Sequence, residues 1–137
     1  MQLDTQMNAL IAAAKKVCGD FELRKNEWAD ETYSAGEVSA AIQTEAGNIY
    51  TGICIDLACG IGFCAEASAI AEMLKHRETH IISVVAVSGD RILPPCGRCR
   101  EKLAQVDSRN LDCKLILDDT NAVLLQELLP PHWLESN

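Results

Sequence analysis

The chain has 137 residues, of which 48% are hydrophobic and 23% charged, with a formal net charge of −8 and seven cysteines. That balance suits one domain over residues 1–137 with its own core and argues against disorder. The acidic charge, with no Lys/Arg run longer than the pairs Lys15-Lys16 and Arg24-Lys25, argues against nucleic acid as a partner, because phosphates require a basic footprint. No apolar run reaches the roughly 18 to 20 residues a bilayer crossing needs. The opening MQLDTQMNALIAAAKK carries acidic and polar residues where a secretory leader would be positive. A cytoplasmic protein with no membrane partner is expected.

In chain order, Met7, Leu10, Ile11, Ala14 and Val17 recur at helical spacing, with Asp4 or Thr5 as a cap and Gly19 beyond, so an amphipathic helix opens the chain. The segment EVSAAIQTEAGNIYTGICID alternates around EAGN, a hairpin pattern that puts Val38, Ala40 and Ile42 on one face. From Cys64 to Glu78, Ala65, Ala69, Ala71 and Leu74 outline a small-residue helix able to lie close to a sheet. HIISVVAVSGD is a nearly unbroken β-branched run, as in a central strand covered on both faces. PPCGRCREKLAQV opens with prolines and continues with good helix formers. CKLILDD reads as another buried strand, AVLL as a short last one, and QELLPPHW as a brief helix stopped by proline. The order α-β-β-α-β-α-β-β-α predicts a layered α/β sheet without internal repeats or linkers.

An odd number of cysteines in a reducing compartment does not make a disulfide framework, so some are buried thiols and some are available as ligands. Cys64 begins one helix, and Cys96 with Cys99 begins the next, both beside the strand at 81–88. Helix N-termini favour thiolates, and zinc favours thiolate ligands. A Cys-x-x-Cys turn presents two sulfurs to one ion, and a third from Cys64 leaves a tetrahedral zinc one open position for water. Glu66, two residues past Cys64, points away from it on a helix and so suits proton transfer rather than ligation. Taken alone, the Cys-x-x-Cys pair also fits a redox couple or half of a structural zinc site.

At these residues the sequence resembles the cytidine deaminase family, whose zinc pattern is Cys-Ala-Glu followed by Pro-Cys-x-x-Cys. CAE at 64–66 and PCGRCR at 95–100 match, and ELLP at 127–130 resembles the closing motif. The resemblance runs from about residue 38 to the end. It implies a three-layer fold with a mixed five-stranded sheet and helices on both faces. It also implies hydrolytic attack at C4 of cytosine, with a non-ligand Glu as general acid and base. Carried over, Cys64, Cys96 and Cys99 hold zinc, Glu66 shuttles protons and the Ala65 backbone holds the base. The resemblance further implies a homotetramer whose neighbouring subunits close each pocket, and a role in pyrimidine salvage.

Three departures bear on the substrate. Ala67 stands where many relatives have an arginine that offsets the thiolate charge, a role that Arg98 or Arg100 would inherit; the blasticidin S deaminase branch shares both features. With one gap, Cys54 and Asp56 replace the Asn and Glu that hold the ribose 3′-hydroxyl. Gly36 in GEVSAA replaces an aromatic residue, which suggests a wider or differently shaped pocket, with Phe63 either refilling part of it or serving as ordinary core. The expected activity is deamination of a cytosine-type nucleoside; rivals are a modified nucleoside such as blasticidin S, or a non-catalytic zinc-stabilised binding protein. Cys18, Cys54, Cys59 and Cys113 read as small buried hydrophobes. His76, His80 and His132 read as surface or interface residues, and Trp28 and Trp133 as packing or subunit contacts.

Overall fold

The structure, a computed structural model, describes residues 1–24 and 33–135. Helix α1 (Thr5–Val17) starts where the Asp4 carboxylate accepts from the Met7 amide at 2.8 Å, satisfying one orphan donor of the first turn. Its apolar stripe buries Met7, Leu10, Ile11 and Ala14, whereas Val17 is exposed at the helix end. Strands β2 (Ser34–Thr44) and β3 (Ile49–Asp56) form the expected antiparallel hairpin, Ile42 opposite Tyr50. Strand β4 (Ile81–Ser88) pairs antiparallel with β2 and parallel with β6 (Lys114–Ile116), which pairs antiparallel with β7 (Ala122–Leu124).

The mixed sheet has seven strands rather than five. The additions are β1 (Phe21–Glu22), paired with the start of β2, and β5 (Arg91–Leu93), paired with the end of β4. Segments of two or three residues are too short to show a period of two, so only pairing to a longer neighbour defines them as strands. The brief terminal helix is instead a 3₁₀ turn at Leu125–Leu128 with another at Trp133–Glu135.

Because β4 is paired on both edges, its side chains fill two cores. On one face α1 packs against Ala41, Val85, Val87 and Ile116. On the other, Ala40, Ile42, Val84, Ala86 and Leu115 meet helices α2 (Ala65–Lys75) and α3 (Gly97–Val106). These are the helix, sheet and helix layers that the resemblance implied. In α2 the buried stripe is Ala65, Glu66, Ala69, Ile70 and Met73, set by i, i+4 spacing; Ala71 and Leu74 fall on an exposed neighbouring face. Asn110, fully buried, ties α3 to β4: its amide oxygen accepts from Ile81 N at 2.7 Å, and its amide nitrogen donates to the carbonyls of Thr79 and Leu103.

Candidate metal centre and its cavity

Cys64 is the N-cap of α2 and Cys96 the N-cap of α3, so the two outermost thiols stand where each helix leaves its first amides without intrahelical partners. Cys99 follows one turn later and is fully buried. The approach of α2 to the sheet depends on Gly52 of β3. A Cβ there would stand 2.6 Å from the Ser68 Cβ and 2.7 Å from the Ala65 carbonyl oxygen, so only glycine allows this contact. Sequence reading missed Gly52, because its partner is thirteen residues away in another element.

Three sulfurs each about 2.3 Å from a tetrahedral ion stand about 3.8 Å apart. Here Cys64 Sγ lies 3.7 Å from Cys96 Sγ, and Cys96 Sγ lies 3.5 Å from Cys99 Sγ. All three lie within 4.8 Å of one another, and among the described residues this is the one such group of three or more ligand side chains. Donor chemistry and spacing therefore fit zinc, with three protein ligands rather than the four of a closed structural site.

The electrostatics also ask for a cation. Burial, then the neighbouring Cys96 and Glu66, push the Cys64 thiol up, against a lowering contribution from Cys99. Burial, followed by Glu66 and the other two sulfurs, pushes Cys99 far up. For Cys96 the opposing burial effect is outweighed by the Cys99 and Arg98 amides and the two neighbouring thiols, so it is held below the usual thiol value. Three adjacent thiols cannot all ionise without an ion between them.

A cavity of about 410 Å³ opens on this group. Cys64, Ala65, Glu66 and Cys96 line it together with Cys54, Asp56, Phe63 and Arg98. Glu66 is only 4% exposed and has no hydrogen-bond partner among the described residues. All seven residues expected at the site are thus found together, Cys99 behind the wall and the other six lining it. Cys54 Sγ accepts from Val38 N at 3.3 Å and donates to Asp56 Oδ2 at 3.7 Å.

The two arginines divide. Arg100 donates from Nε to the Pro95 carbonyl at 2.8 Å and from a terminal nitrogen to the Leu128 carbonyl at 3.5 Å, clamping the PCGRCR turn to the ELLP segment. Arg98 lines the cavity.

Gly36 corrects the expectation of a widened pocket. It does not line the cavity; its φ is +85° and the Gly19 carbonyl occupies the place of its Cβ, so the glycine serves a close backbone crossing. Cys59 is exposed at φ +61° and Cys18 half-buried, while Cys54 and Cys113 are buried as expected. His132 is buried rather than superficial, its Nε2 2.6 Å from Glu101 Oε2. Trp133 is exposed, with its indole donating to Glu101 Oε1, and Trp28 lies outside the described residues.

The α/β fold thus brings three thiols to one cavity, beside a buried carboxylate that has no hydrogen-bond partner among the described residues, a donor set suited to a metal-dependent hydrolytic site. Residues 21–114 match the family described as the cytidine and deoxycytidylate deaminase zinc-binding region. The chain belongs to that family of zinc-dependent deaminases. It is 28% identical over 112 residues to a cytidine deaminase of Halalkalibacterium halodurans, covering 79% of this chain and 85% of that one. It is likewise 28% identical over 106 residues to a blasticidin-S deaminase of Bacillus cereus, covering 68% and 74%. Its fold matches the crystal structure of a cytidine deaminase from Mycobacterium tuberculosis with a TM-score of 0.74 at 22% identity, over 95% of this chain and 98% of that one.

Proposed function

We propose that residues 1–137 form one catalytic domain that converts the cytosine ring of a free nucleoside, cytidine or deoxycytidine or an analogue, to uracil with release of ammonia. One observation carries this reading: Glu66, buried and without a hydrogen-bond partner among the described residues, lines the same cavity as Cys64 and Cys96. A purely structural metal site has no use for such a carboxylate, whose burial is costly unless a ligand meets it. This favours an enzyme over a zinc-stabilised binding protein.

Zinc held by Cys64, Cys96 and Cys99 supplies Lewis acidity, which makes water a nucleophile near neutral pH. Glu66 takes a proton from the attacking water and delivers it to the ring nitrogen, then transfers a second to the departing amine, so that cytosine plus water balances to uracil plus ammonia. The Ala65 backbone, fully buried beneath the cavity, holds the base edge, while Cys54 and Asp56 face the sugar. Arg98 moderates the charge of three thiolates in place of the arginine that Ala67 replaces.

A modified nucleoside such as blasticidin S is a second reading, favoured by Ala67, by Cys54 in place of an amide and by the relative of that name. Cytoplasmic placement, pyrimidine salvage and a homotetramer accompany the main reading. Leu57, Ile61 and Phe63, exposed apolar residues in the segment beside the cavity, support closure by a neighbouring subunit. The test is ammonia release from a panel of cytosine nucleosides by the zinc-loaded protein. Turnover of at least one is expected, and inactivity on the whole panel would favour the binding protein.

A further inference from the structure

The segment that follows Leu128 is tied to α3 at two adjacent residues, directly after Cys99. Arg100 donates to the Leu128 carbonyl, and Glu101 receives two donors from further along. His132 Nε2 lies 2.6 Å from its Oε2, and the Trp133 indole donates to its Oε1 at 2.9 Å, so both oxygens of one carboxylate are engaged. A third bond fixes the histidine. The Leu134 amide donates to His132 Nδ1 at 3.2 Å, which makes Nδ1 an acceptor and assigns the ring proton to Nε2, facing Glu101. The ring is buried in this position.

The place of this grip matters because of what α3 carries. Cys96 caps the helix and Cys99 lies in its first turn, with Arg100 and Glu101 next in the chain. Leu103 and Ala104 bury the middle of α3, and Asn110 ties down the Leu103 carbonyl nearer its far end. Among the described residues, and apart from the thiols themselves, the side-chain hydrogen bonds made by residues 96–101 are those of Arg100 and Glu101.

We propose that Glu101 and His132 are positioning residues for the metal: the C-terminal segment is a latch on the thiol-bearing turn of α3 and slows the escape of zinc. The inference rests on the zinc centre and not on the nature of the substrate. Release of zinc begins when one sulfur leaves the ion, and the ion is recaptured while that sulfur stays close. A turn held in place keeps it close, whereas a turn free to shift lets it drift. Supports behind a metal ligand typically change affinity by about 10 to 100-fold, and this one, acting through two residues of helix, belongs at the lower end.

The experiment mixes the zinc-loaded full chain with an excess of a chromogenic chelator and follows the rate of zinc transfer, with the melting temperature of each variant measured alongside. E101L, which removes both bonds, is expected to release zinc about tenfold faster. H132L and W133F are each expected to speed release severalfold, and E101L combined with H132L to be no faster than E101L alone, because the pair is one interaction. H132Q, whose amide N–H can stand where the ring Nε2–H stood, should stay near the parent rate. Trp133 is exposed, so W133F tests the latch without disturbing buried packing should H132L fail to fold. D107N is the comparison for stability alone, since Asp107 caps the far end of α3: it is expected to melt earlier and release zinc at the parent rate. Unchanged release in E101L and W133F, additive effects in the double variant, an H132Q as fast as H132L, or equal acceleration by D107N overturns the latch.

Discussion

Gly52 of β3 and Ala65 of α2 approach so closely that a Cβ on the glycine would stand 2.7 Å from the alanine carbonyl oxygen. The helix that carries Glu66, and is capped by Cys64, therefore rests on bare backbone of the neighbouring strand.

Gly52→Ala is accordingly expected to push α2 outward. Overpacking of this kind costs about 1–3 kcal/mol. The displacement also carries Cys64 away from Cys96 and Cys99, so zinc affinity falls together with stability. Thermal unfolding of the variant, with zinc content measured on the same samples, checks both. A variant with unchanged melting and full zinc would mean the contact relaxes without moving the helix.

Zinc content is expected at one ion per chain, and Cys64→Ser, Cys96→Ser or Cys99→Ser should each sharply reduce it, since each removes one of three ligands. Metal analysis of purified protein is the measurement. Removal of zinc by a chelator is expected to lower the melting temperature of the parent but to leave the serine variants nearly unaffected. Full occupancy in Cys99→Ser would show that Cys99 is not a ligand.

Glu66→Ala is expected to separate binding from chemistry. The variant keeps its fold and zinc, because Glu66 has no hydrogen bond to lose among the described residues. Turnover falls by about 10² to 10⁴-fold, the usual contribution of a general acid and base. Single-turnover ammonia release against zinc content measures the split, and retained turnover would remove Glu66 from the proton path.

Discrimination between cytidine and deoxycytidine is expected to be small. The Cys54 thiol already accepts from Val38 N and donates to Asp56, and a thiol is a weak partner for a hydroxyl. Loss of one neutral hydrogen bond costs about 0.5–1.5 kcal/mol, so binding of either sugar is weakened severalfold rather than abolished. Because both sugars share the 3′-hydroxyl that Cys54 and Asp56 face, the ratio of the two kcat/KM values should lie near one, and a strong preference for either sugar would show that other residues read the 2′ position.

Acid sensitivity should trace in part to Asp107. The Arg109 guanidinium beside it, at 2.7 Å, holds its carboxyl well below the usual carboxylate range, with further help from the Arg109 amide and Thr79. A folded-state pKa below the unfolded value near about 3.9 adds stability that is present above that pH and lost as the pH falls through the folded value. Asp107→Asn should therefore cost about 1 kcal/mol at pH 7, discounted because Arg109 is mostly exposed, with the deficit shrinking below about pH 4. Urea unfolding of parent and variant at pH 7 and pH 3 gives the comparison.

The amino-acid sequence by itself made legible the three main helices, the long strands and the three thiols that come together as a metal-binding group. Those signals are local: a period of 3.6 in α1, β-branched density in β4, and Cys-x-x-Cys within one turn of α3. Only the tertiary structure decided that Cys64 and Cys96 meet at 3.7 Å, because that distance depends on two helices docking beside the same strand. It likewise decided that Gly36 serves a backbone crossing rather than a wider pocket, that His132 is buried against Glu101 and that Arg100 clamps a loop instead of facing the thiols. Each of these depends on a partner far along the chain, and a residue's own neighbours carry no record of what a distant carbonyl or carboxylate will occupy. The same reason hid Gly52, whose role arises where its strand passes close under helix α2.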